Sequence, residues 1–199
     1  MNIGVVGSKV NPLHWGHIFL GERALEAGQL DLCYYMPTGQ PVDSVIDTPG
    51  DIRYEMAVAG TWHEPRFAVS RLELDREGPS FMVDTLRLLH EQHGAGHNYF
   101  LVVGADRAPG IKTSWHEPDE LAQLCSFLVA NRAGERDVIT QSWLKEVMPK
   151  GSDARGMVVP NLKISSTELR AKVKAGIPIT DLVPPRVLRV MNRHGLFRA

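Results

Sequence analysis

Cysteine is scarce in this sequence, with only Cys33 and Cys125 in 199 residues. Both lie in apolar runs, and two thiols are too few for a disulfide framework or a conventional zinc site. We therefore expect two buried, reduced thiols. No apolar run reaches the roughly 20 residues that span a bilayer, and no basic segment precedes a shorter one. These features predict a cytoplasmic location and no membrane partner.

An excess of charge of one sign is also missing. The sequence has 22 lysines and arginines against 23 acidic residues, for a net charge of -1. Such a chain has no bulk attraction for nucleic acid, so any anion must be bound by a local site. The length and the 43% hydrophobic content are typical of one globular domain. We expect a single domain over residues 1–199, with a C-terminal helical part at 160–199.

Short apolar runs that suit buried strands alternate with segments of helical periodicity. We predict strands at residues 2–7, 32–37, 67–74, 99–104 and 127–131, and helices at 16–27, 51–60, 82–93, 118–125, 166–175 and 185–194. This order predicts a doubly wound, Rossmann-like parallel α/β sheet with helices on both faces, in which ligands bind beyond the carboxyl ends of the strands. Residues 38–50 lack periodicity and are predicted to form a mobile loop beside the site.

The loop after the first predicted strand carries the most specific motif, Gly-Ser-Lys-Val-Asn-Pro-Leu-His-Trp-Gly-His at residues 7–17. Small Gly7 and Ser8 let backbone N–H groups approach a polyphosphate, and the start of the next helix favours negative charge. His14 and His17 would lie together there, with ring N–H groups able to follow charge on a phosphoryl oxygen.

Gly16, between these two histidines, would leave room for the ligand. The spacing is neither that of a dinucleotide fingerprint nor that of a P-loop, which disfavours hydride transfer and kinase chemistry. The alternative is that the histidines only cap and pack a helix start. The Asn-Pro dipeptide before them, directly after a strand, favours the functional interpretation.

A second motif, Ile-Ser-Ser-Thr-Glu-Leu-Arg, begins at Ile164. The hydroxyls of Ser165, Ser166 and Thr167 are placed to cap a helix, and its amides together with Arg170 can hold phosphate. Taken alone, the segment is equally compatible with a capped surface helix and a solvated arginine. Two anion sites far apart in sequence, however, imply a polyphosphate held between them.

Both motifs resemble signatures of the adenylyltransferase and cytidylyltransferase superfamily. Residues 7–17 are similar to (G/S)-x-F-(D/N)-P-x-H-x-G-H, with Ser8 for the second glycine, Lys9 for a usual threonine and Val10 for phenylalanine. Residues 164–170 are similar to I-S-S-T-x-I/L-R, which binds ATP phosphates opposite the histidine motif. The resemblance implies that Ser8, Gly7 and Gly16 contact ATP with residues 164–167, and that the catalytic residues are His14, His17, Arg170 and Lys9.

Further stretches resemble the nicotinate mononucleotide adenylyltransferases in particular. They are Gly78 to Leu86, the Leu101 to Asp106 run followed by Trp115, Asn131 to Gly134, and the ending from Leu182 to Phe197. The resemblance implies that Gly104 and Asp106 bind ATP and that Thr85, Trp115 and Arg132 bind the mononucleotide. Physically, Asp106 could accept hydrogen bonds from ribose, Trp115 offers an aromatic face for a pyridine ring, and Arg132 could meet phosphate. Taken singly, residues of these types are more often structural.

The chain also departs from this family. A basic residue usually follows the proline-rich turn after the second strand, whereas this chain has Asp43. Either Lys9 or Arg53 replaces that charge, or phosphate binding is weakened. His90, His93 and His97 could suggest a metal site, but the glycines that follow are typical of a helix end, which favours solvated histidines.

The implied reaction is transfer of AMP from ATP to nicotinate mononucleotide, which gives deamido-NAD and pyrophosphate. The resemblance also implies Mg²⁺ carried with the ATP phosphates, and no dedicated protein metal site is expected. Alternatives are a transferase acting on nicotinamide mononucleotide or phosphopantetheine or using CTP, and a nucleotide-binding sensor without turnover. The sequence leaves a homo-oligomer open.

Overall fold

A computed structural model describes residues 1–94, 96–133 and 139–198. Its parallel strands form one six-stranded sheet in the order β3-β2-β1-β4-β5-β6. The strands are β1 Asn2–Ser8, β2 Leu32–Pro37, β3 Phe67–Val69, β4 Asn98–Gly104, β5 Ser126–Arg132 and β6 Ala154–Val159. The helices are α1 Trp15–Ala27, α2 Gly50–Thr61, α3 Leu72–Asp75, α4 Met82–His93, α5 Ala108–Ser114, α6 Pro118–Leu124, α7 Gln141–Val147, α8 Ser166–Lys174 and α9 Pro185–Arg193.

The sheet is covered on both faces because neighbouring residues of its central strands point to opposite sides. Val6 lies in an apolar cluster with residues of α1, α2 and α9, and Val5 lies in a second cluster with residues of α4, α5 and α6. Both valines are almost completely buried. The predicted doubly wound α/β fold is confirmed. No helix within the described ranges has the length and apolarity to cross a bilayer.

The strand order reverses between β1 and β4, which pair directly through Val5 and Leu101. From β1 the chain continues outward through β2 and β3, and it then returns to build β4, β5 and β6 on the other side. In a doubly wound sheet, the crevice at such a switch point is where ligands bind. The loops that follow β1 and β4 therefore border the expected site.

The predicted strand at 67–74 is wrong in its second half. The strand ends at Val69, and Leu72–Asp75 forms a helical turn. The hydroxyl of Ser70 accepts a hydrogen bond from the Leu72 amide at 3.2 Å, which offers the backbone an alternative to continued strand pairing.

The sequence also gave no indication of α5, α7 and β6. The burial of β6 is irregular along the strand, so it lacks the continuous apolar run of the central strands. Gly110 lies within the seven-residue α5 and disfavours helix there.

Candidate active site

The loop between β1 and α1 is organised around a hydrogen bond between Ser8 and His17. The hydroxyl oxygen of Ser8 lies 2.9 Å from His17 Nε2, and the backbone N–H of His14 donates to His17 Nδ1 at 3.2 Å. Because Nδ1 accepts, the proton of the neutral ring resides on Nε2 and points to Ser8. Ser8 also accepts from the Val10 amide at 3.2 Å, so its own O–H stays able to donate to a ligand.

His14 lies beside His17, with ring centroids 3.9 Å apart. Its side chain is only 8% exposed, and its Nδ1 has no hydrogen-bond partner among the described residues. Burial, with a smaller effect from the positive charge of Arg132, lowers the pKa of His14 to about 4. Burial and the neighbouring His14 also hold the pKa of His17 well below 6.5. Both rings are therefore neutral at pH 7 and act as N–H donors without a positive charge.

Gly16 lies directly against the ring of His14. A Cβ atom at this position would lie 2.9 Å from the ring of His14. Such an approach is too close for a carbon atom, so a side chain here would displace His14. Glycine at position 16 therefore leaves space for the ring of His14, and the contact of Gly16 with ATP stays a prediction.

The second motif docks directly on the first. The hydroxyl of Ser166 donates to the carbonyl of Pro12 at 3.0 Å, and Arg170 Nη1 donates to the carbonyl of Asn11 at 2.8 Å. Arg170 Nη2 also lies 3.3 Å from the Thr167 hydroxyl. Two segments about 155 residues apart in sequence thus form one surface, as the prediction of a shared polyphosphate site requires.

The start of α8 has the predicted cap. The hydroxyl of Ser165, the N-cap residue, accepts from the Glu168 amide at 3.2 Å. Ile164 packs against the apolar cluster that contains Val6. The hydroxyls of Ser165 and Thr167 lie on exposed residues, so this helix start is accessible from solvent. Its free amides are suited to an anion.

The loop after β4 places Gly104 and Asp106 at the switch point. A Cβ on Gly104 would meet the carboxylate of Asp106, so a side chain at this position would displace that carboxylate from its present place. Asp106 is exposed. Trp115 ends α5 and is half-buried against the second apolar cluster. Next to it, His116 stacks on Phe81 with ring centroids 4.3 Å apart.

Arg132 is the last residue of β5, and its side chain is exposed. Its positive charge is the smaller of the two causes that lower the pKa of His14. Its backbone amide donates to the side chain of Asn131 at 3.0 Å. Gly134, the end of the resemblance around Arg132, lies outside the described residues.

Thr85 is completely buried, which sequence reasoning did not indicate. Its hydroxyl donates to Glu73 Oε1 at 2.9 Å. Burial raises the pKa of Glu73, and hydrogen bonds including that of Thr85 oppose the shift. Glu73 is a residue that sequence reasoning missed, because nothing in the local pattern marks a buried carboxylate. The structure assigns the Thr85 hydroxyl to this internal contact, and its role toward the mononucleotide stays a prediction.

The two candidates for the missing basic residue differ sharply. Arg53 is 3% exposed and its guanidinium donates to three backbone carbonyls, those of Lys9, Thr38 and Thr48. These bonds tie the loop after β1 to both ends of the loop after β2, and they engage Nε and Nη1 of the guanidinium within the protein. The ammonium of Lys9 instead lies 3.0 Å from Asp43 Oδ1, with 37% of the side chain exposed. Of the two, Lys9 is the cation within reach of solvent.

Two of the three histidines near the end of α4 have hydrogen-bond partners inside the protein, whereas the buried Nδ1 of His97 has none among the described residues and its ring contacts that of His93. His90 Nε2 lies 2.9 Å from the carbonyl of Leu124, and His93 Nδ1 lies 3.1 Å from the Tyr99 hydroxyl. Gly94 ends the helix at φ 72°, as predicted. The histidines are half-buried, so the expectation that they are solvated is wrong. Across the described ranges, no group of three or more His, Cys, Asp or Glu side chains is arranged to hold a metal ion.

Comparison with known proteins identifies the family of this chain. The family model described as cytidylyltransferase-like matches residues 5–172. The chain is 36% identical to a probable nicotinate-nucleotide adenylyltransferase of Leifsonia xyli, over 99% of this chain and 94% of that protein. It is 37% identical to a probable nicotinate-nucleotide adenylyltransferase of Clavibacter michiganensis, over 100% of this chain and 95% of that protein.

Solved structures give the same fold. Nicotinic acid mononucleotide adenylyltransferase of Plasmodium falciparum, complexed with NaAD, superposes with a TM-score of 0.78 at 20% identity, covering 98% of this chain and 97% of that one. The same enzyme complexed with APC superposes with a TM-score of 0.73 at 18% identity, covering 98% and 96% of the two chains. At this level of identity the similarity supports the architecture alone.

Proposed function

The chain belongs to the cytidylyltransferase-like family, and from this premise we propose that it is a nicotinate-nucleotide adenylyltransferase. The reaction transfers AMP from ATP to nicotinate mononucleotide and releases pyrophosphate, with deamido-NAD as the product. The relatives that support this reaction match the chain over almost its whole length.

The observation that carries the proposal is the docking of the two motifs. Ser166 and Arg170 reach the carbonyls of Pro12 and Asn11, which brings the start of α8 onto the loop after β1. This surface lies at the carboxyl end of β1, next to the switch point of the sheet. It presents helix amides and a guanidinium together, as a polyphosphate requires.

Catalysis in this proposal depends on positioning and on cancellation of charge. A phosphate oxygen of the mononucleotide attacks the α-phosphorus of ATP, the bond from that phosphorus to the bridging oxygen breaks, and pyrophosphate leaves. The attacking phosphate is already anionic, so no general base or covalent nucleophile is needed. The neutral rings of His14 and His17 donate N–H bonds, while Arg170 and Lys9 supply positive charge.

Magnesium enters the proposal with ATP. When bound, the ion neutralises charge on the phosphates. Mg²⁺ retains several waters and commonly binds through substrate phosphates, so it does not need a protein cage. The exposed carboxylate of Asp106 is a donor of the type that suits magnesium. The residues present therefore fit an ion carried by the nucleotide.

The mononucleotide would lie on the α5 side of the cleft. We assign its pyridine ring to the aromatic face of Trp115 and its phosphate to Arg132, whose charge already acts at His14. Thr85 would support the mononucleotide site from the protein interior, since its side chain is completely buried. ATP would contact Gly7, Ser8, Gly16, Gly104 and Asp106 together with the start of α8.

A cytoplasmic location is part of the proposal and is supported by two buried free thiols, Cys33 and Cys125. The remaining alternatives concern the acceptor and turnover itself. They are nicotinamide mononucleotide or phosphopantetheine as acceptor, CTP in place of ATP, and nucleotide binding without reaction.

The test is to incubate the purified chain with magnesium, ATP or CTP, and each acceptor in turn. Released pyrophosphate and the coupled product are quantified by chromatography and mass spectrometry. We expect deamido-NAD and pyrophosphate in equal amounts from ATP and nicotinate mononucleotide, with a lower kcat/KM for every other pair. Tight nucleotide binding without any product would replace the proposal with the sensor.

A further inference from the structure

Asp43 bridges two cations from opposite sides of the cleft. Its Oδ1 lies 3.0 Å from Lys9 Nζ, and its Oδ2 lies 3.7 Å from Arg107 Nη1. Lys9 belongs to the loop after β1, and Arg107 follows Asp106 in the loop after β4. These two strands flank the switch point of the sheet. One carboxylate thus contacts a cation on either side of the crevice where a nucleotide would lie.

The bridge belongs to a segment that is fixed at both ends. The Ser80 hydroxyl accepts hydrogen bonds from the amides of Gly39 and Gln40, each at 3.0 Å. At the other end, Arg53 Nε donates to the carbonyl of Thr48 at 3.1 Å. Between these anchors, the side chain of Val45 is 91% exposed. Residues 41–47 can therefore change position while the bases of the loop stay in place.

From this arrangement we infer that Lys9 and Arg107 form a phosphate-binding pair, and that the Asp43 carboxylate occupies the phosphate position until a nucleotide displaces it. A carboxylate and a phosphate present similar oxygens to an ammonium and a guanidinium. Asp43 is then an internal competitor of the substrate. The identity of the nucleotide rests on the proposed function. The phosphate-binding pair and its competition with Asp43 rest on the ion pairs alone.

The ion pairs of Asp43 with Lys9 and Arg107 are weak enough for a phosphate group to displace the carboxylate. The side chains of Lys9, Asp43 and Arg107 are 37%, 49% and 62% exposed, and ion pairs this exposed contribute little. A phosphate group carries more charge than one carboxylate and competes successfully for both cations. The hydrogen bond from Lys9 lowers the pKa of Asp43, so the carboxylate is charged at neutral pH.

The chain provides a matched control for removing this carboxylate. Asp47 lies four residues further along the same loop, is exposed, and has no ion pair or hydrogen bond among the described contacts. Asp43→Asn and Asp47→Asn remove the same charge from the same loop. A difference between them isolates the contact with Lys9 and Arg107 from the general loss of negative charge.

The experiment measures binding of inorganic triphosphate, ATP and nicotinate mononucleotide by isothermal titration calorimetry, in wild type and both variants. We expect Asp43→Asn to tighten binding of the phosphate-bearing ligand by about two- to fivefold, and Asp47→Asn to leave it unchanged. In a Lys9→Met, Arg107→Met background, Asp43→Asn should have no effect. The nucleotide whose binding tightens identifies which substrate's phosphate displaces Asp43.

Equal affinities in wild type and Asp43→Asn, or weaker binding in Asp43→Asn, would overturn the inference. Binding of inorganic triphosphate needs no transfer reaction, which separates the inference from the proposed function. If Asp43→Asn tightens triphosphate binding but no dinucleotide forms, the result supports Asp43 as an internal competitor and contradicts the proposed reaction. If dinucleotide forms while Asp43→Asn binds triphosphate as wild type does, the result contradicts only the role of Asp43 as an internal competitor.

Discussion

Nε2 of His17 lies 2.9 Å from the hydroxyl of Ser8, and this contact joins the end of the first strand to the start of the first helix. The backbone N–H of His14 fixes the opposite side of the same ring. Ser8 stands where the resembling motif has a glycine. In this chain a serine hydroxyl therefore lies between the ring N–H of His17 and the predicted position of the phosphates.

The first prediction concerns His17 itself. His17→Ala removes the ring N–H that donates to Ser8 beside the predicted phosphate position, so the transition state loses this support and we expect kcat to fall by about 10²-fold. The matched control is His63→Ala, since His63 is an exposed histidine whose contact is with Glu22 on the surface. Steady-state kinetics of both variants, with circular dichroism to verify folding, make the comparison. Near-normal turnover in folded His17→Ala would remove His17 from the mechanism.

The second prediction concerns the Ser8 hydroxyl. Ser8→Ala leaves the His17 ring without its acceptor and removes the O–H that can donate to phosphate, so we expect kcat to fall by about tenfold. The loss should be smaller than that of His17→Ala because the ring remains. If kcat in Ser8→Ala equals that of wild type, the contact has no part in positioning His17.

The third prediction separates the two substrates at Trp115. Trp115→Ala should raise KM for nicotinate mononucleotide by about tenfold and KM for ATP by less than about twofold, because only the pyridine ring would stack on the indole. The residue is half-buried, so thermal unfolding is measured in parallel. Equal changes in both KM values would make Trp115 a structural residue.

The fourth prediction is a dependence of stability on pH. The pKa of His14 is about 4 in the folded chain and 6.5 without the fold. Between these values the unfolded chain binds a proton that the folded chain does not bind. The stabilisation is therefore complete above about pH 6.5 and is lost as the pH falls toward 4, with a total of about 3 kcal/mol.

Chemical denaturation of wild type and His14→Gln at pH 7, 6 and 5 measures this effect. Glutamine does not titrate, so the variant should lose less free energy of unfolding over this range than wild type does. A remaining loss is expected because the pKa of His17 is also lowered. Parallel curves for the two proteins would show that His14 does not carry the lowered pKa.

The sequence predicted the fold well where strands are buried on both faces. The strands β1, β2, β4 and β5 are continuous apolar runs, and each was placed within about two residues. Prediction failed at β6, whose burial is irregular, and after Val69, where the Ser70 hydroxyl bonds to the backbone instead. In both cases contacts outside the apolar pattern decide the structure.

The sequence predicted the two segments that form the candidate site, but not the particular contacts between them. The histidine motif and the serine-rich motif each signal an anion site through local residues. The bonds from Ser166 and Arg170 to the first loop link distant segments, as does the ion pair of Lys9 with Asp43. The sequence predicted that the two motifs share a polyphosphate, but these particular bonds depend on the packed fold and could not be predicted.

In the proposed reaction the α-phosphorus of ATP is transferred to nicotinate mononucleotide. ATP labelled with ³²P at the α-phosphate tests it most directly, with ATP labelled at the γ-phosphate as the control. We expect the α-label to appear in deamido-NAD and the γ-label in pyrophosphate, at equal rates. Recovery of the γ-label in the acceptor, or of the α-label only in unreacted ATP, would contradict it.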